Sequence, residues 1–221
     1  MTTSTGRTAA VALAVAVAVM LVAGSAFAGT TAAELTSANA QRAETSFGDL
    51  ATDALVATTS TTIALVPAVS FKSGTIPSGP VTRANVSELL TQPTETWAVV
   101  SLSDAQLRAT LERSVSRAPQ PNAGFLQVSG ISMTYDPNLP RNSRIVNLTV
   151  SGADVQTDQN YEVAMPLSLA KGGSGYFTIF GEGDIVRTGS TELADAIVNY
   201  VEQRGTVSYT GQGRITPANG G

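Results

Sequence analysis

The stretch that decides the fold is GFLQVSGISMTYD, from Gly124 to Asp136. Leu126 and Val128 alternate on one face of a predicted strand, but after Gly130 the apolar residues move by one position, beginning with Ile131. Side chains along a strand alternate with a period of two, which cannot absorb an odd shift. The sequence therefore predicts either a bulged residue or a bend of the strand at Gly130.

The next alternating segment runs from Arg144 to Val150 and follows a turn-rich sequence, Asp136 to Pro140. Two alternating segments on either side of such a turn predict a β-hairpin with a longer loop. Further strands are predicted at 63–66, 97–102 and 161–165, where apolar residues cluster or alternate.

Helix starts are marked by side chains that can cap the first turn. The predicted N-caps are Thr45 or Ser46, Thr82, Ser103 with Gln106 as its capping-box partner, and Ser190 or Thr191. Glycine and proline are frequent between 71 and 81 and predict a loop. Strands and helices are interspersed without a regular βαβ repeat, so the predicted fold class is α+β, a single domain with a mixed β-sheet and flanking helices.

The 221 residues include no histidine and no cysteine. These two absences exclude Ser-His-Asp and Cys-His catalytic sites, and zinc or two-metal centres with histidine ligands. Carboxylate chemistry and oxygen-only coordination of calcium or magnesium stay open. The net charge is −4. Because no basic stripe could follow a phosphate backbone, nucleic acid is not expected as a partner.

The first 28 residues have the pattern of a secretory signal peptide. Arg7 supplies the positive charge, an apolar run spans Ala9 to Ala23, and Ala26-Phe27-Ala28 matches a cleavage site. An uncleaved membrane anchor is the alternative, but the run is shorter than the ~20 residues needed to span a bilayer. The pattern predicts export from a bacterial cell to the cell envelope or the medium, with no membrane span after cleavage. Residues 29–41 then predict a flexible spacer, and 217–221 a frayed tail.

Several features could carry chemistry, and each also has a plain structural interpretation. The glycine-rich loop at 172–175 could offer backbone N–H groups to an anion, although a connecting turn is favoured. Glu182 and Asp184 could hold a hard cation, but a solvated loop is favoured because the calcium-loop spacing is absent. Arg113 and Arg117, four apart on a predicted helix, could bind a carboxylate or phosphate. A solvated helix face, with or without a pair to Glu112, is their default interpretation.

Three aromatic residues follow the glycine-rich loop, Tyr176, Phe177 and Phe180. They could stack on a base or another ring. At strand spacing, at least one of them is expected in the core instead.

Taken together, the motifs resemble the C-terminal domain of the secreted 5'-nucleotidases. They occur in that family's order: ETSFGDLATDAL, IPSGPVTRANVSELL, LSDAQLRATLERSV, GFLQVSGISMTYD, LAKGGSGYF and GRI. The resemblance implies a domain over residues 42–216. In that family, this domain recognises the substrate by holding a base between two aromatic rings and the ligand with arginines, while a separate metallophosphatase domain hydrolyses nucleotide phosphates.

The resemblance also locates a ligand site and shows where this chain departs from it. An arginine before the first helix is matched by Arg42, and Lys72 stands where the family has another arginine. Gln92 and Ser168 replace the two clamping rings, and Ser174 replaces an aspartate that contacts the ligand. The predicted ligand-binding residues are therefore Arg42, Lys72, Gln92, Ser168 and Ser174.

Three hypotheses follow for the function. The favoured one is an exported, non-catalytic binding module for a small polar ligand or a protein partner, with no cofactor and no metal. The alternative is the specificity subunit of a split 5'-nucleotidase, whose metallophosphatase half is a separate chain and whose ligand is a nucleotide. The third is a structural envelope protein without a ligand.

Overall fold

The computed structural model describes residues 27–218. In chain order its elements are β1 (Phe27–Thr31), β2 (Leu35–Thr36), α1 (Ser46–Thr59), β3 (Ile63–Pro67), β4 (Thr75–Ile76), β5 (Gly79–Thr82), α2 (Arg83–Glu88), β6 (Trp97–Ser103), α3 (Asp104–Val115), β7 (Leu126–Ser129), β8 (Ile131–Tyr135), β9 (Ile145–Val150), β10 (Ala153–Asp154), β11 (Asn160–Pro166), α4 (Leu167–Ala170), β12 (Ile185–Thr188), α5 (Leu193–Arg204), β13 (Thr206–Val207) and β14 (Ile215–Pro217).

The central sheet has five strands in the order β12-β6-β11-β3-β7. Within it β11 and β3 run parallel, and the other neighbouring pairs are antiparallel. A four-stranded sheet, β10-β9-β8-β14, and a three-stranded sheet, β13-β1-β5, complete the main β-structure. Helices flank the strands: α1 packs against β3, β7 and α5, and α3 packs against β6 and β11. The predicted α+β fold with a mixed sheet is therefore confirmed.

The shift of apolar phase at Gly130 is a bend at which the chain changes sheets. β7 pairs with β3 in the five-stranded sheet, whereas β8 pairs with β9 in the four-stranded sheet. Gly130 lies between them in the left-handed region, with φ 74°. A Cβ atom there would overlap the carbonyl oxygen of Thr62. Glycine is required here both for its conformation and for the close approach of another backbone.

Most helix starts follow the predicted caps. Thr45 accepts a hydrogen bond from Gly48 N at the start of α1, and α2 and α3 begin with capping boxes at Thr82 and Ser103. The prediction for α5 was wrong, because Glu192 is its N-cap residue and makes no side-chain cap. The loop predicted at 71–81 was wrong in part, since it contains β4 and β5, whose partners β2 and β1 lie far away in sequence.

The flexible spacer predicted for residues 29–41 was wrong. Thr30 and Thr31 pair with β13, and Leu35 is buried and pairs with Ile76. These contacts come from distant parts of the chain, so the small residues of this segment carry no local pattern that could predict them. In the predicted tail, Pro217 belongs to β14, and residues 219–221 lie outside the described part.

The signal peptide stays a prediction, because residues 1–26 lie outside the described part. Phe27 and Ala28, its last two residues, are the first two residues of β1. Among residues 27–218, no helix is both long and apolar enough to cross a membrane.

A charged cluster ties the C-terminal strand to the first helix. The Arg214 guanidinium donates to both carboxylate oxygens of Asp53, with 2.9 Å for each bond. Glu44 accepts the backbone N–H groups of Gln212 at 2.7 Å and Ile215 at 2.8 Å. Bidentate arginine–carboxylate pairs are among the strong polar contacts of proteins, particularly where water is largely excluded. The cluster therefore fixes β14 against α1.

Asp49 lies one helical turn before Asp53 and is fully buried. Its Oδ1 is 3.7 Å from Arg214 Nε, too long for a hydrogen bond. Burial raises the pKa of Asp49 from 3.8 to about 8, against the attraction of Arg214, and the neighbouring Glu44 carboxylate raises it further. Asp49 is therefore protonated at neutral pH.

Replacing Gly130 by alanine should destabilise the protein strongly. The substitution combines a strained left-handed backbone with an overlap on Thr62, so we expect a loss of more than about 3 kcal/mol in urea unfolding. Gly152→Ala is the matched control, because Gly152 has φ 81° but open space around its Cβ position. That variant should lose only about 1 kcal/mol. Equal losses would contradict the role of the Thr62 contact.

The Asp49→Asn variant should remove a pH dependence of stability. Between pH 3.8 and about 8 the folded state holds a proton that the unfolded state has lost, so stability falls as the pH rises through this window. Asparagine cannot ionise, so this variant should be the more stable protein at pH 8 and lose its advantage toward pH 4. Urea unfolding across this range measures it. If stability depended on pH as steeply in Asp49→Asn as in the unmodified protein, the raised pKa assigned to Asp49 would be contradicted. Asp53→Asn is the comparison variant, which should destabilise the protein at every pH because it breaks the pair with Arg214.

Candidate functional site

One edge of the five-stranded sheet gathers the segments that carry four of the five predicted ligand-binding residues. β3 and β11 are parallel and end together at this edge. β6 and β7 are antiparallel to them and start there, with Trp97 opposite Pro166 and Leu126 opposite Pro67. We call the segments after β3 and β11 and before β6 and β7 the loop edge.

Lys72 and Gln92 are carried by adjacent segments of the loop edge. Lys72 N donates to Leu89 O and Thr91 N donates to Ser70 O, each at 2.9 Å. An isolated bridge between Phe71 and Leu90 lies between these two bonds. Lys72 and Gln92 are both exposed. The structure thus places these two residues on adjacent, hydrogen-bonded segments, with their side chains accessible to solvent.

Ser168 and Ser174 follow β11 on the same edge. Ser168 N donates to the Glu95 carboxylate at 2.9 Å, which links α4 to the segment before β6. Ser174 belongs to the glycine-rich loop, and its carbonyl oxygen accepts a 2.7 Å bond from Arg113. Tyr176 anchors this loop, because its ring is buried and its hydroxyl donates to Gly124 O at 2.7 Å.

Arg42 lines a cavity of about 220 Å³ at the loop edge. The lining residues are Ser37, Asn39, Ala40, Gln41, Arg42, Ala68, Phe71, Ser73 and Pro121. The other four predicted residues do not line this cavity. Its one charged residue is an arginine and four of its other lining residues are polar, which suits a small polar or anionic ligand.

Phe71 forms the apolar wall of the cavity. Its ring packs edge-to-face on Phe47, with the ring centroids 5.8 Å apart, and is 8% exposed. The ring is therefore fixed from the core side and leaves the volume beside Arg42 open.

The turn that carries Arg42 is held by Gln127, a fully buried residue of β7. The Gln127 side-chain amide donates to Ala40 O at 3.2 Å and Ala43 O at 2.9 Å, and its oxygen accepts from Thr45 N at 2.8 Å. A buried amide is stable only when its polar atoms are paired, and these partners satisfy it. Gln127 thereby sets the position of Arg42.

Sequence reasoning missed both Gln127 and the polar lining at 37–41. A usable signal for Gln127 was a polar residue inside the otherwise apolar FLQV run. For the lining, the signal was Asn39, a residue type that tolerates the left-handed conformation found there, with φ 68°. That conformation forms the turn in which Arg42 N donates to Asn39 O at 2.8 Å.

Glu182 and Asp184 make separate contacts. Glu182 lies 3.1 Å from Lys171 Nζ, and Asp184 accepts the Gly181 N–H at 2.9 Å. Among residues 27–218 no group of three or more acidic side chains is arranged to hold a metal ion. Of the three aromatic residues after the glycine-rich loop, Tyr176 and Phe180 are buried and stacked, whereas Phe177 is 74% exposed.

Comparison with known proteins gives a consistent family. A family model described as 5'-nucleotidase, C-terminal domain, matches residues 22–182. The snake venom 5'-nucleotidase of Naja atra is 28% identical over 128 residues, which cover 54% of this chain and 24% of that protein. The human 5'-nucleotidase is 30% identical over 134 residues, covering 57% and 23%. The matched region is thus about a quarter of the length of these curated relatives.

Solved structures extend the likeness to the whole described fold. The 5'-nucleotidase precursor of Thermus thermophilus superposes with a TM-score of 0.78 and 28% identity, covering 88% of this chain and 40% of that one. The NAD nucleotidase of Haemophilus influenzae has a TM-score of 0.74 at 14% identity, covering 88% of this chain and 38% of that one, which shows a shared fold alone.

Replacing Gln127 by leucine should loosen the turn that carries Arg42. The change leaves several buried backbone groups unpaired, and each of them lowers the free energy of unfolding by about 1–3 kcal/mol. We expect faster amide hydrogen exchange at residues 39–45, together with lower stability. Gln156→Leu is the control, because the Gln156 side chain makes a single bond to Asp154 O near the surface. Unchanged exchange at 39–45 in Gln127→Leu would contradict this role.

Proposed function

Because this chain belongs to the 5'-nucleotidase C-terminal domain family, we propose that it is a non-catalytic binding module that holds a small polar ligand at the loop edge. The observation that carries the proposal is the cavity beside Arg42, lined by Ser37, Asn39, Gln41 and Ser73. An arginine among hydroxyl and amide groups offers hydrogen-bond donors to a carboxylate, phosphate or sugar-like ligand. Lys72, Gln92, Ser168 and Ser174 lie outside this cavity, and in this proposal they contact the ligand from the neighbouring segments of the loop edge.

The substitutions at the proposed site argue against a nucleotide as the preferred ligand. Stacking on an aromatic side chain is worth about 1–3 kcal/mol per base, and Gln92 and Ser168 offer no ring at the two clamp positions. Lys72 keeps the positive charge of the family's arginine but lacks its planar fork of donors. A ligand held by hydrogen bonds and charge fits these residues better than one held by stacking.

The absence of histidine supports a module without hydrolytic activity. The metallophosphatase chemistry that the family resemblance implies uses histidine ligands for two metals, and this sequence cannot provide them. The signal-peptide pattern of residues 1–28 supports export to the cell envelope or the medium as part of the same proposal.

A second candidate function is the specificity subunit of a split 5'-nucleotidase. The observation that favours it is the match of 88% of this chain to 40% of the Thermus thermophilus 5'-nucleotidase precursor, which leaves most of that chain unmatched. In this proposal a separate metallophosphatase chain performs the hydrolysis, and the loop edge contributes to binding of a nucleotide.

A ligand screen tests the binding proposal. Thermal unfolding is measured with sugars, carboxylates, phosphate, nucleosides and nucleotides. A ligand at about 100 times its dissociation constant should stabilise the fold by about 2.7 kcal/mol. Arg42→Gln should weaken binding of the ligand that stabilises the protein, because it removes the positively charged side chain that lines the cavity. Arg108→Gln is the control, since Arg108 is an exposed residue of α3 that does not line the cavity.

The outcomes separate the candidates. A shift with non-nucleotide polar ligands that Arg42→Gln abolishes supports the module. No shift with any compound would contradict ligand binding at the loop edge. Phosphate release from AMP only after a metallophosphatase chain is added would favour the split enzyme, and release by the isolated chain would overturn the non-catalytic assignment.

A further inference from the structure

A second surface, on the C-terminal half of α3, concentrates positive charge. Two adjoining cavities of about 290 and 430 Å³ lie there, and both are lined by Arg113, Ser116 and Arg141. Arg117 lines the smaller of the two. We call this surface, defined by these four residues, the arginine cleft. It shares no lining residue with the cavity beside Arg42.

The charges of the arginine cleft are not neutralised within the described part of the chain. Every charged residue that lines its two cavities is an arginine, although the whole protein has a net charge of −4. Across residues 27–218, none of Arg113, Arg117 and Arg141 forms a salt bridge. Three uncompensated guanidinium groups around one cleft attract anions.

Glu112, which one of the two alternatives paired with these arginines, makes other contacts. Glu112 precedes Arg113 on α3, but it is buried and accepts the backbone N–H groups of Arg144 and Ile145, each at 2.9 Å. The pair with Glu112 that the sequence suggested is therefore absent, and Glu112 instead fixes the start of β9. The Arg144 guanidinium donates to Val115 O and Ala118 O at the end of α3, which adds a further positive charge near the cleft.

Arg113 is held in place before any ligand binds. One of its terminal nitrogens donates to Ser174 O at 2.7 Å, and its guanidinium carbon lies 5.2 Å from the centre of the Tyr176 ring. Its Nε is buried and has no hydrogen-bond partner in the described chain. A guanidinium that is already ordered loses less entropy when it binds an anion.

We propose that the arginine cleft binds a ligand with two or more linked phosphate groups. Planar guanidinium groups match the geometry of phosphate oxygens in pairs, and several of them suit a ligand whose charge is spread over more than one group. The larger cavity, about 430 Å³, lies within the size range of small-molecule sites. The Ser116 hydroxyl donates to Arg113 O at 2.7 Å, so the arginines supply the donors for the proposed ligand.

Isothermal titration with tripolyphosphate at fixed ionic strength tests the proposal, with inorganic phosphate and citrate as comparison anions. Tripolyphosphate should bind, and more tightly than either comparison anion. The double variant Arg117→Gln, Arg141→Gln should weaken it at least about tenfold, because each removed arginine loses charge-assisted contacts. Arg108→Gln, on the same helix but outside the cleft, should bind like the unmodified protein.

Other results would overturn the proposal. Citrate binding as tight as tripolyphosphate would contradict a phosphate-specific cleft. Equal affinity in the double variant and in Arg108→Gln would show that the arginines of the cleft are not involved. No measurable binding of tripolyphosphate to the unmodified protein would also overturn the proposal. Tripolyphosphate binding that Arg42→Gln weakens and the double variant does not would place the anion in the cavity beside Arg42 and overturn the proposal, so the two sites are distinguishable. Thermal unfolding of each variant establishes that it is folded.

Discussion

The close approach of two backbones at Gly130 and Thr62 governs how the sheets are joined. No side chain fits between them. The backbone at Gly130 therefore lies against Thr62 in the left-handed conformation, and there the chain leaves the five-stranded sheet for the four-stranded one. On one side of this point, β7 delivers Gln127 to the turn that holds Arg42. On the other, β8 supplies the edge on which β14 docks. One backbone contact therefore affects both the position of the turn that holds Arg42 and the edge on which the last strand docks.

The loop edge and the arginine cleft share a structural support, although the cavity beside Arg42 and the two cavities of the cleft have no lining residue in common. The glycine-rich loop contributes Ser174 to the proposed ligand site, and the carbonyl of the same residue orients Arg113 toward the cleft. Tyr176 completes the arrangement, since it packs under Arg113 and bonds to Gly124 O. The loop therefore has the structural role that a connecting turn would predict, and in addition it supports the residues of two proposed sites.

Local features of the fold could be predicted from sequence, and features that depend on distant partners could not. Short-range sequence patterns predict the bend at Gly130 and the caps at Thr45, Thr82 and Ser103. The strands at 27–31 and 75–76 have no such pattern, because only their partners define them. For the candidate site, the family resemblance supplied Arg42 and Lys72. The cavity beside Arg42 depends on Asn39 and Gln127, whose roles arise from a turn and a buried amide network that require the assembled fold.

The contacts between Arg214 and the first helix also bear on the order in which the domain folds. Asp49 and Asp53 lie near the N-terminal end of the domain, but the cation that faces them and the amide groups that satisfy Glu44 belong to residues 212–215. Until that segment is in place, Asp53 and Glu44 lack these partners, and β8 keeps an open edge. The native structure is accordingly completed only when this segment, more than 150 residues beyond the first helix, has joined the fold.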